Sequence, residues 1–250
     1  MKTAWLAVRS ALLWTVSWIH FFIGVATLIP CGMIAGPRKI DLFVRIFNRN
    51  VVRLAGARLT AKFAPGFDPK QTCFFSVNHT NLFDPFVLYS VIPQYVRGLE
   101  LESHFRIPLY GMLMKRFGNV PVPDVRRPAE LRRMLLQTKK ALDGGTSLIV
   151  FPEGTRTPDG RIHEFEDGGF RMAVQFGCPI VPVSIVGSFE FNRKDHWWLH
   201  PSHIVVHIHD TIDTKGLKKD DVPALRDRVR AIMSAPVDAH YKVLDASQNN

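Results

Sequence analysis

The chain has 250 residues, with 32 lysines and arginines against 22 aspartates and glutamates and a formal net charge of +10. This length suits one α/β domain, and the positive balance is typical of proteins that meet nucleic acid, an acidic membrane or a phosphorylated substrate. Nothing in the chain resembles a nucleic-acid module, so no nucleic-acid partner is expected. Cys31, Cys73 and Cys178 lie far apart in apolar sequence, which predicts buried thiols in a reducing compartment rather than a disulfide framework.

The amino-terminal segment is mostly apolar from Trp5 to Ile29, and a bilayer-spanning helix needs about 20 such residues. A cleaved signal peptide, a single span and a helix that enters one leaflet and returns all fit this run. We favour a retained membrane anchor, because only Lys2 precedes the run and Arg38 and Lys39 follow it. Pro30 is expected to end the helix.

The next segment, Arg38 to Arg58, has apolar residues at helical spacing with arginines between them. This pattern predicts a basic amphipathic helix that lies on an anionic membrane surface. A surface helix packed on the domain, with a solvated basic face, is the alternative. The neighbouring apolar run favours the membrane interpretation.

After residue 58, short apolar runs alternate with helical patterns, which predicts a single α/β domain with a mixed, mostly parallel sheet flanked by helices. The predicted strands are Leu59–Phe63, Thr72–Val77, Tyr95–Leu101, Ser147–Phe151, Ile180–Ile185 and Ile204–His209. The predicted helices are Pro85–Ile92, Pro108–Phe117, Ala129–Leu142, Gly169–Phe176 and Val222–Ala235. His207 and His209 share one face of a strand, but ordinary strand alternation explains them, and no metal site is predicted.

Two motifs follow predicted strands: residues 78–84 read Asn-His-Thr-Asn-Leu-Phe-Asp, and residues 151–156 read Phe-Pro-Glu-Gly-Thr-Arg. His79 and Asp84 supply a base and a carboxylate able to orient it. The alternative is a loop histidine bonded to backbone, with the aspartate as a helix cap. Arg156 supplies a guanidinium that suits phosphate. These three groups are what acyl transfer to a hydroxyl beside a phosphate requires.

At these motifs, and at the strand Ile180-Val181-Pro182-Val183, the chain resembles the glycerolipid acyltransferase family over roughly Leu59 to Ile212. The resemblance implies transfer of a fatty acyl group from acyl-CoA or an acyl carrier protein to the free hydroxyl of 1-acyl-sn-glycerol-3-phosphate, giving phosphatidic acid. An acyltransferase for another lyso-lipid, such as a lyso-amino-acid lipid, and a non-catalytic lipid-binding protein of the same fold are the alternatives.

The same resemblance implies an organisation for the whole chain. Residues 1–58 form a membrane-anchoring helical segment, residues 59–240 the acyltransferase domain and residues 241–250 a tail. The protein is expected to be membrane-associated, with its catalytic domain on the cytoplasmic face. The thioester is a co-substrate, and no cofactor or metal is expected.

The first motif, by this resemblance, carries the catalytic pair. His79 is expected to act as general base and Asp84 to stabilise the imidazolium. Asn78 is expected either to fix the loop or to donate toward the oxyanion.

The second motif is expected to bind the acceptor through Glu153, Gly154, Thr155 and Arg156. A structural ion pair inside this loop is the alternative for the glutamate.

Two positions depart from the family pattern. Asp124 stands where the family usually has arginine, and Arg126 and Arg127 are expected to substitute for it in binding the acceptor. Glu102 stands where many relatives carry lysine. Both departures lie in the region expected to handle the acceptor, so they bear on which lyso-lipid is used.

Overall fold

A seven-stranded sheet organises the protein, whose computed structural model describes residues 2–125, 127–194 and 196–248. The strands are β1 (Ala57–Phe63), β2 (Phe74–Val77), β3 (Val96–Leu101), β4 (Val120–Val122), β5 (Ser147–Val150), β6 (Ile180–Val186) and β7 (Ser202–Ile208). Their order across the sheet is β1-β7-β6-β2-β5-β3-β4. Every neighbouring pair among them is parallel except β6 and β7, which confirms the predicted mixed, mostly parallel sheet.

Helices cover both faces of this sheet. They are α1 (Lys2–Ala35), α2 (Asp41–Leu54), α3 (Asp84–Val91), α4 (Tyr110–Phe117), α5 (Pro128–Asp143), α6 (Gly168–Phe176), α7 (Ser188–Phe191) and α8 (Val222–Gln248). Because strand side chains alternate, Phe74 joins the core under α6 and α8, whereas Phe75 and Val77 join the core under α2 and α3. Strand β2 is therefore buried on both faces.

The short strand β4 was not among the predicted strands. It has three residues, and Pro121 stands at its centre. Proline cannot donate to a strand ladder, so it is confined to positions such as an edge strand, and β4 is the last strand of the sheet.

Two helices are longer than predicted, and each continues past a proline. Helix α1 runs through Pro30 to Ala35, so the expectation that Pro30 ends it is wrong. The Arg116 guanidinium donates to the carbonyls of Gly32 and Met33 at 3.0 and 3.1 Å, which satisfies the last turn of α1. Helix α8 passes Pro236 and extends to Gln248, within the segment predicted to be a tail.

Helix α1 is long and apolar enough to cross a membrane. It also contacts the domain at several points along its length. Near its start, Trp14 donates through Nε1 to the carbonyl of Trp197 at 2.6 Å. Farther on, Phe21 and Phe86 have ring centroids 6.3 Å apart, and near its end Gly32 approaches Phe117. The opposite side of α1 exposes the large apolar side chains Trp5, Val8, Leu12, Val16, Trp18, Ile19, Phe22, Ile23, Met33 and Ile34. Cys31 is exposed as well, so the prediction that its thiol is buried is wrong.

Helix α2 divides its residues between the domain and the solvent. Val51 and Val52 are buried in the core, whereas Leu42, Phe43 and Ile46 are exposed. Arg45, predicted to lie on a basic face, instead donates to the carbonyls of the loop that follows α3 and pairs with Asp41. Phe47 of α2 packs against Phe21 of α1, so the two helices are neighbours, and each leaves large apolar side chains exposed.

Candidate active site

Strand β2 delivers the first motif to the middle of the sheet. Residues that follow a central parallel strand emerge at its carboxyl edge, where α/β proteins place their ligand sites. Asn78 holds this exit in place: its Nδ2 donates to the carbonyl of Ile185 at 3.0 Å, and its Oδ1 accepts from the N–H of Ile185 at 2.7 Å. This two-way contact with β6 favours the loop-fixing interpretation of Asn78 over donation to an oxyanion.

His79 and Asp84 meet across a tight loop. The Nδ1 atom of His79 lies 2.8 Å from Oδ2 of Asp84, so Nδ1 carries the proton that the carboxylate accepts. This assignment leaves Nε2 with an unshared electron pair, as a general base requires. The His79 side chain is 22% exposed, so a substrate hydroxyl can reach it, whereas the Asp84 side chain is fully buried.

The Asp84 carboxylate is surrounded by further donors. It accepts from the N–H and hydroxyl of Thr80 at 2.6 and 2.9 Å, from the N–H of Asn81 at 2.9 Å and from the hydroxyl of Ser188 at 2.9 Å. It also begins helix α3, whose amino-terminal end favours a negative charge. A buried charge is tolerated only when it is paired and hydrogen-bonded. The Asp84 carboxylate meets this condition, and it both holds its own loop together and orients His79.

The ring of His79 is also fixed from its face. It stacks on Phe151, with centroids 4.1 Å apart and planes inclined by 21°. Phe151 follows β5, the strand next to β2, so this contact joins the two motifs. One hydrogen bond at the ring edge and one stacked ring restrict the imidazole to a single orientation.

Glu153 bonds the two motif loops together. Its Oε1 accepts from the backbone N–H of His79 at 3.0 Å, and its Oε2 accepts from the backbone N–H of His163 at 3.2 Å. The N–H of Thr157 donates to the His79 carbonyl at 2.8 Å from the same side. Burial raises the pKa of Glu153, and its two N–H donors oppose that rise. These contacts give Glu153 a bracing position, and no ion pair joins it to Arg156 in the described structure.

The rest of the second motif turns outward. Gly154 has a φ of +67°, which favours glycine, and Thr155 is exposed. Arg156 is partly exposed and makes no hydrogen bond or ion pair with any residue that the structure describes. Its guanidinium is therefore available to an anionic ligand.

The two departures from the family pattern each have a polar partner. The exposed Asp124 accepts from the Ser103 hydroxyl at 2.8 Å, and Glu102 pairs with Arg133 at 2.9 Å. Arg127 is exposed just before α5, and no described contact joins its side chain to the loops of His79 or Arg156. The predicted site residue Arg126 lies outside the described residues.

Two residues of this site were not predicted from sequence. Ser188 comes from α7 to donate to Asp84, and Asn81 donates through Nδ2 to the Ser188 hydroxyl at 2.9 Å. The first contact spans 104 positions of the chain, and no local pattern marks it. Asn81 lies inside the first motif, where its type alone, an amide in a tight loop, was the available signal.

A metal site is not formed by the side chains that the structure describes, since no group of three His, Cys, Asp or Glu residues converges among them. His207 and His209 stack with centroids 6.3 Å apart. Nε2 of His209 lies 2.9 Å from the Ser184 hydroxyl, so this histidine has a protein partner.

Comparison with known proteins gives one consistent result. A family model described as Acyltransferase matches residues 58–186. The chain is 28% identical over 217 residues to 1-acyl-sn-glycerol-3-phosphate acyltransferase alpha of Ovis aries, covering 86% of this chain and 75% of that protein. It is 28% identical over 232 residues to 1-acyl-sn-glycerol-3-phosphate acyltransferase beta of Homo sapiens, covering 91% and 80%.

A solved structure shares the fold. The 1-acyl-sn-glycerophosphate (LPA) acyltransferase PlsC from Thermotoga maritima matches with a TM-score of 0.80 at 20% identity, covering 96% of this chain and 97% of that one. The similarity extends over α1 and α2 as well as the sheet, because so little of either chain is left out.

Proposed function

The chain belongs to the acyltransferase family, and we propose that it moves a fatty acyl group from acyl-CoA or an acyl carrier protein to the free hydroxyl of 1-acyl-sn-glycerol-3-phosphate, giving phosphatidic acid. The observation that carries this proposal is the hydrogen-bonded pair of His79 and buried Asp84, in a loop braced against the one that bears an unpaired arginine. The names of the similar proteins support the choice of acceptor.

The proposed mechanism is a direct transfer with His79 as the proton carrier. Nε2 takes the proton of the acceptor hydroxyl as its oxygen attacks the thioester carbonyl carbon. Asp84 stabilises the imidazolium that results, as the carboxylate of a catalytic triad does. When the carbon–sulfur bond breaks, His79 returns the proton to the departing thiolate. The ester and the free thiol form, His79 ends neutral, and no cofactor or metal is called for.

Arg156 is proposed to bind the phosphate of the acceptor. It has no protein partner in the described structure, and guanidinium binds phosphate through two parallel hydrogen bonds. Arg127 and Arg126 are proposed as auxiliary cations. Gly154 and Thr155 let the acceptor approach the backbone of this turn, and Glu153 supports the site by bracing both loops.

A membrane surface is the proposed location of the enzyme. The exposed apolar sides of α1 and α2 suit an orientation in which both helices lie along one leaflet, with the basic Arg49 and Arg53 toward anionic headgroups. The cytoplasmic face is proposed because Cys73 and Cys178 are buried free thiols, which suit a reducing compartment.

The test is an assay of the purified full chain in mixed micelles, with labelled acyl-CoA and a panel of lyso-lipids. We expect turnover with 1-acyl-sn-glycerol-3-phosphate and a loss of at least about 10³-fold in His79→Ala. His203→Ala is the matched control, because His203 is exposed on β7 and bonded to Thr60. Near wild-type turnover by a folded His79→Ala variant would show that the base is wrongly assigned.

The lyso-lipid panel also decides the acceptor. Asp124 is exposed, and its hydrogen-bond partner is the neutral hydroxyl of Ser103. A lyso-lipid with a cationic head group is therefore the second candidate for the acceptor. Efficient use of such a lipid, with indifference to 1-acyl-sn-glycerol-3-phosphate, would favour it. Wild-type protein that binds these lipids and turns over none of them would point to a non-catalytic lipid-binding protein.

A further inference from the structure

A large cavity lies beside β4, away from the loops of His79 and Arg156. It has a volume of about 1120 Å³ and is bounded by the linker after α1, by α4, by the start of β4 and by one side of α5. Eight lysines and arginines line it against a single carboxylate, Glu102, which is already paired with Arg133. We call this cavity the edge groove.

The cations of the edge groove are poorly neutralised. Arg38 donates to the Thr146 hydroxyl at 2.8 Å, and Arg116 donates to two carbonyls, so both bond to neutral acceptors. Lys39, Lys115 and Lys140 are exposed and form no ion pair with any described residue. Like charges gathered in a concave surface raise the local positive potential and attract an anion.

One buried cation in the wall of the groove is only partly hydrogen-bonded. Arg97 is 2% exposed and lines the groove. Its Nε and Nη1 donate to the carbonyls of Phe117 and Val96, whereas its Nη2 has no hydrogen-bond partner in the described structure. Its nearest carboxylate, Asp41, lies 3.9 Å from Nη1, and its guanidinium stacks on Tyr95 at 3.8 Å. None of these contacts is a close ion pair, so Arg97 adds to the positive charge in the wall of the groove.

An apolar surface continues directly from the groove. A second cavity of about 620 Å³ shares Lys115 and Arg116 with it and adds Ile107, Leu109 and Met112. These three side chains are 50%, 54% and 50% exposed. The surface also adjoins the end of α1, whose exposed apolar side is proposed to face lipid. A ligand that covers both parts has an anionic head and an apolar tail.

We propose that the edge groove binds the headgroup of an anionic phospholipid, whose acyl chains lie on the apolar surface of α4 and the end of α1. A soluble polyanion would use the cations and leave the apolar part uncovered, so the lipid fits the whole surface better. None of the residues His79, Asp84 and Arg156 lines this groove, and the inference rests on the membrane location proposed above. The groove would hold the domain against anionic membranes in one orientation.

The test compares binding of the full chain to phosphatidylcholine vesicles with and without phosphatidylglycerol. The groove variant is Lys39→Gln with Lys115→Gln and Lys140→Gln. The control variant is Lys70→Gln with Lys215→Gln and Lys219→Gln, which removes the same charge from exposed positions outside the groove. We expect the groove variant to lose about 10–100-fold in preference for the anionic vesicles and the control variant to lose less than about threefold.

Two further measurements distinguish this proposal from its alternatives. Turnover of the groove variant in neutral detergent micelles should equal that of the wild type, which separates this proposal from the assignment of His79. Soluble coenzyme A should not abolish the preference for anionic vesicles. An equal loss of vesicle preference in both triple variants would show that general surface charge, not the groove, causes the binding. Displacement by coenzyme A would make it a site for the acyl donor, and either result overturns the proposal.

Discussion

The loop around Asp84 and the edge groove beside β4 differ in how far protein groups pair with their charges. At Asp84, one buried carboxylate receives a hydrogen bond from His79 and four more from Thr80, Asn81 and Ser188. In the groove, eight cations face one carboxylate that is itself paired. A charge whose partners are all protein groups is fixed in place, and a charge without such partners is available to a ligand. The first arrangement suits positioning of a proton carrier, and the second suits binding.

Breaking the fixed arrangement should have the largest effect. Asp84→Asn removes the charge that stabilises the His79 imidazolium and allows the wrong tautomer, so we expect turnover to fall by roughly 10²–10⁴-fold. Steady-state kinetics with both substrates measures the loss. Asp143→Asn, which changes an exposed carboxylate paired with Lys139, serves as the control. Turnover within about threefold of wild type in folded Asp84→Asn contradicts the role given to the carboxylate.

Arg156 belongs to the proposed catalytic site, yet its charge is unpaired in the described structure, as are several charges of the edge groove. Arg156→Ala should weaken acceptor binding by about 2–5 kcal/mol, since a charge-assisted contact is lost. We expect the KM for the acceptor to rise far more than the KM for the donor. The exposed Arg132→Ala is the control. Equal rises in both KM values would remove Arg156 from the acceptor site.

Ser188→Ala tests one donor of the Asp84 network. It leaves the buried carboxylate short of one hydrogen bond, so we expect a loss of about 1–3 kcal/mol in the free energy of unfolding. Chemical denaturation measures this loss. Ser90→Ala is the matched control, because its buried hydroxyl donates within α3 to the Val87 carbonyl and does not touch Asp84. If the two variants lose the same stability, the contact with Asp84 has no special weight.

Glu153→Gln should give the smallest effect, which depends on pH. Burial raises the pKa of Glu153, so the folded protein binds this proton more tightly than the unfolded chain does. The wild type therefore loses stability as pH rises above the unfolded value of about 4.5, and the glutamine variant lacks this loss. We expect the stability of the variant relative to wild type to improve between about pH 4.5 and 8.

Denaturation of Glu153→Gln and of the wild type, measured across that pH range, tests the direction of this change in stability. The exposed Glu164→Gln should show no such trend relative to wild type. A stability difference between Glu153→Gln and wild type that stays constant, or declines, as pH rises would contradict it.

Much of the fold could be predicted because its signals are local. Buried strands such as Phe74–Val77 and Ile180–Val186 are apolar runs, and their positions were predicted to within a few residues. The missed strand β4 is short and carries a proline, and its pairing depends on neighbours far along the chain. The continuation of α1 past Pro30 depends on Arg116, which lies more than 80 positions away.

The residues of the site also differ in whether the sequence could predict their contacts. The spacing of His79 and Asp84 places them in one loop, so their contact followed from the sequence. The contribution of Ser188 did not follow, because it requires β6 to lie beside β2. The edge groove was not predicted either, since its cations come from five separate segments of the chain.

The contact between Trp14 and Phe83 makes α1 more than an attachment. Their ring centroids lie 5.5 Å apart, and Phe83 immediately precedes Asp84. Phe83 also packs edge-to-face on Phe191, in the short helix that carries Ser188. A tilt of α1 would therefore displace residues that lie next to Asp84. We expect the proposed bilayer environment of α1 to influence the position of Asp84, and we expect a protein shortened before Gly36 to lose this support together with its membrane attachment.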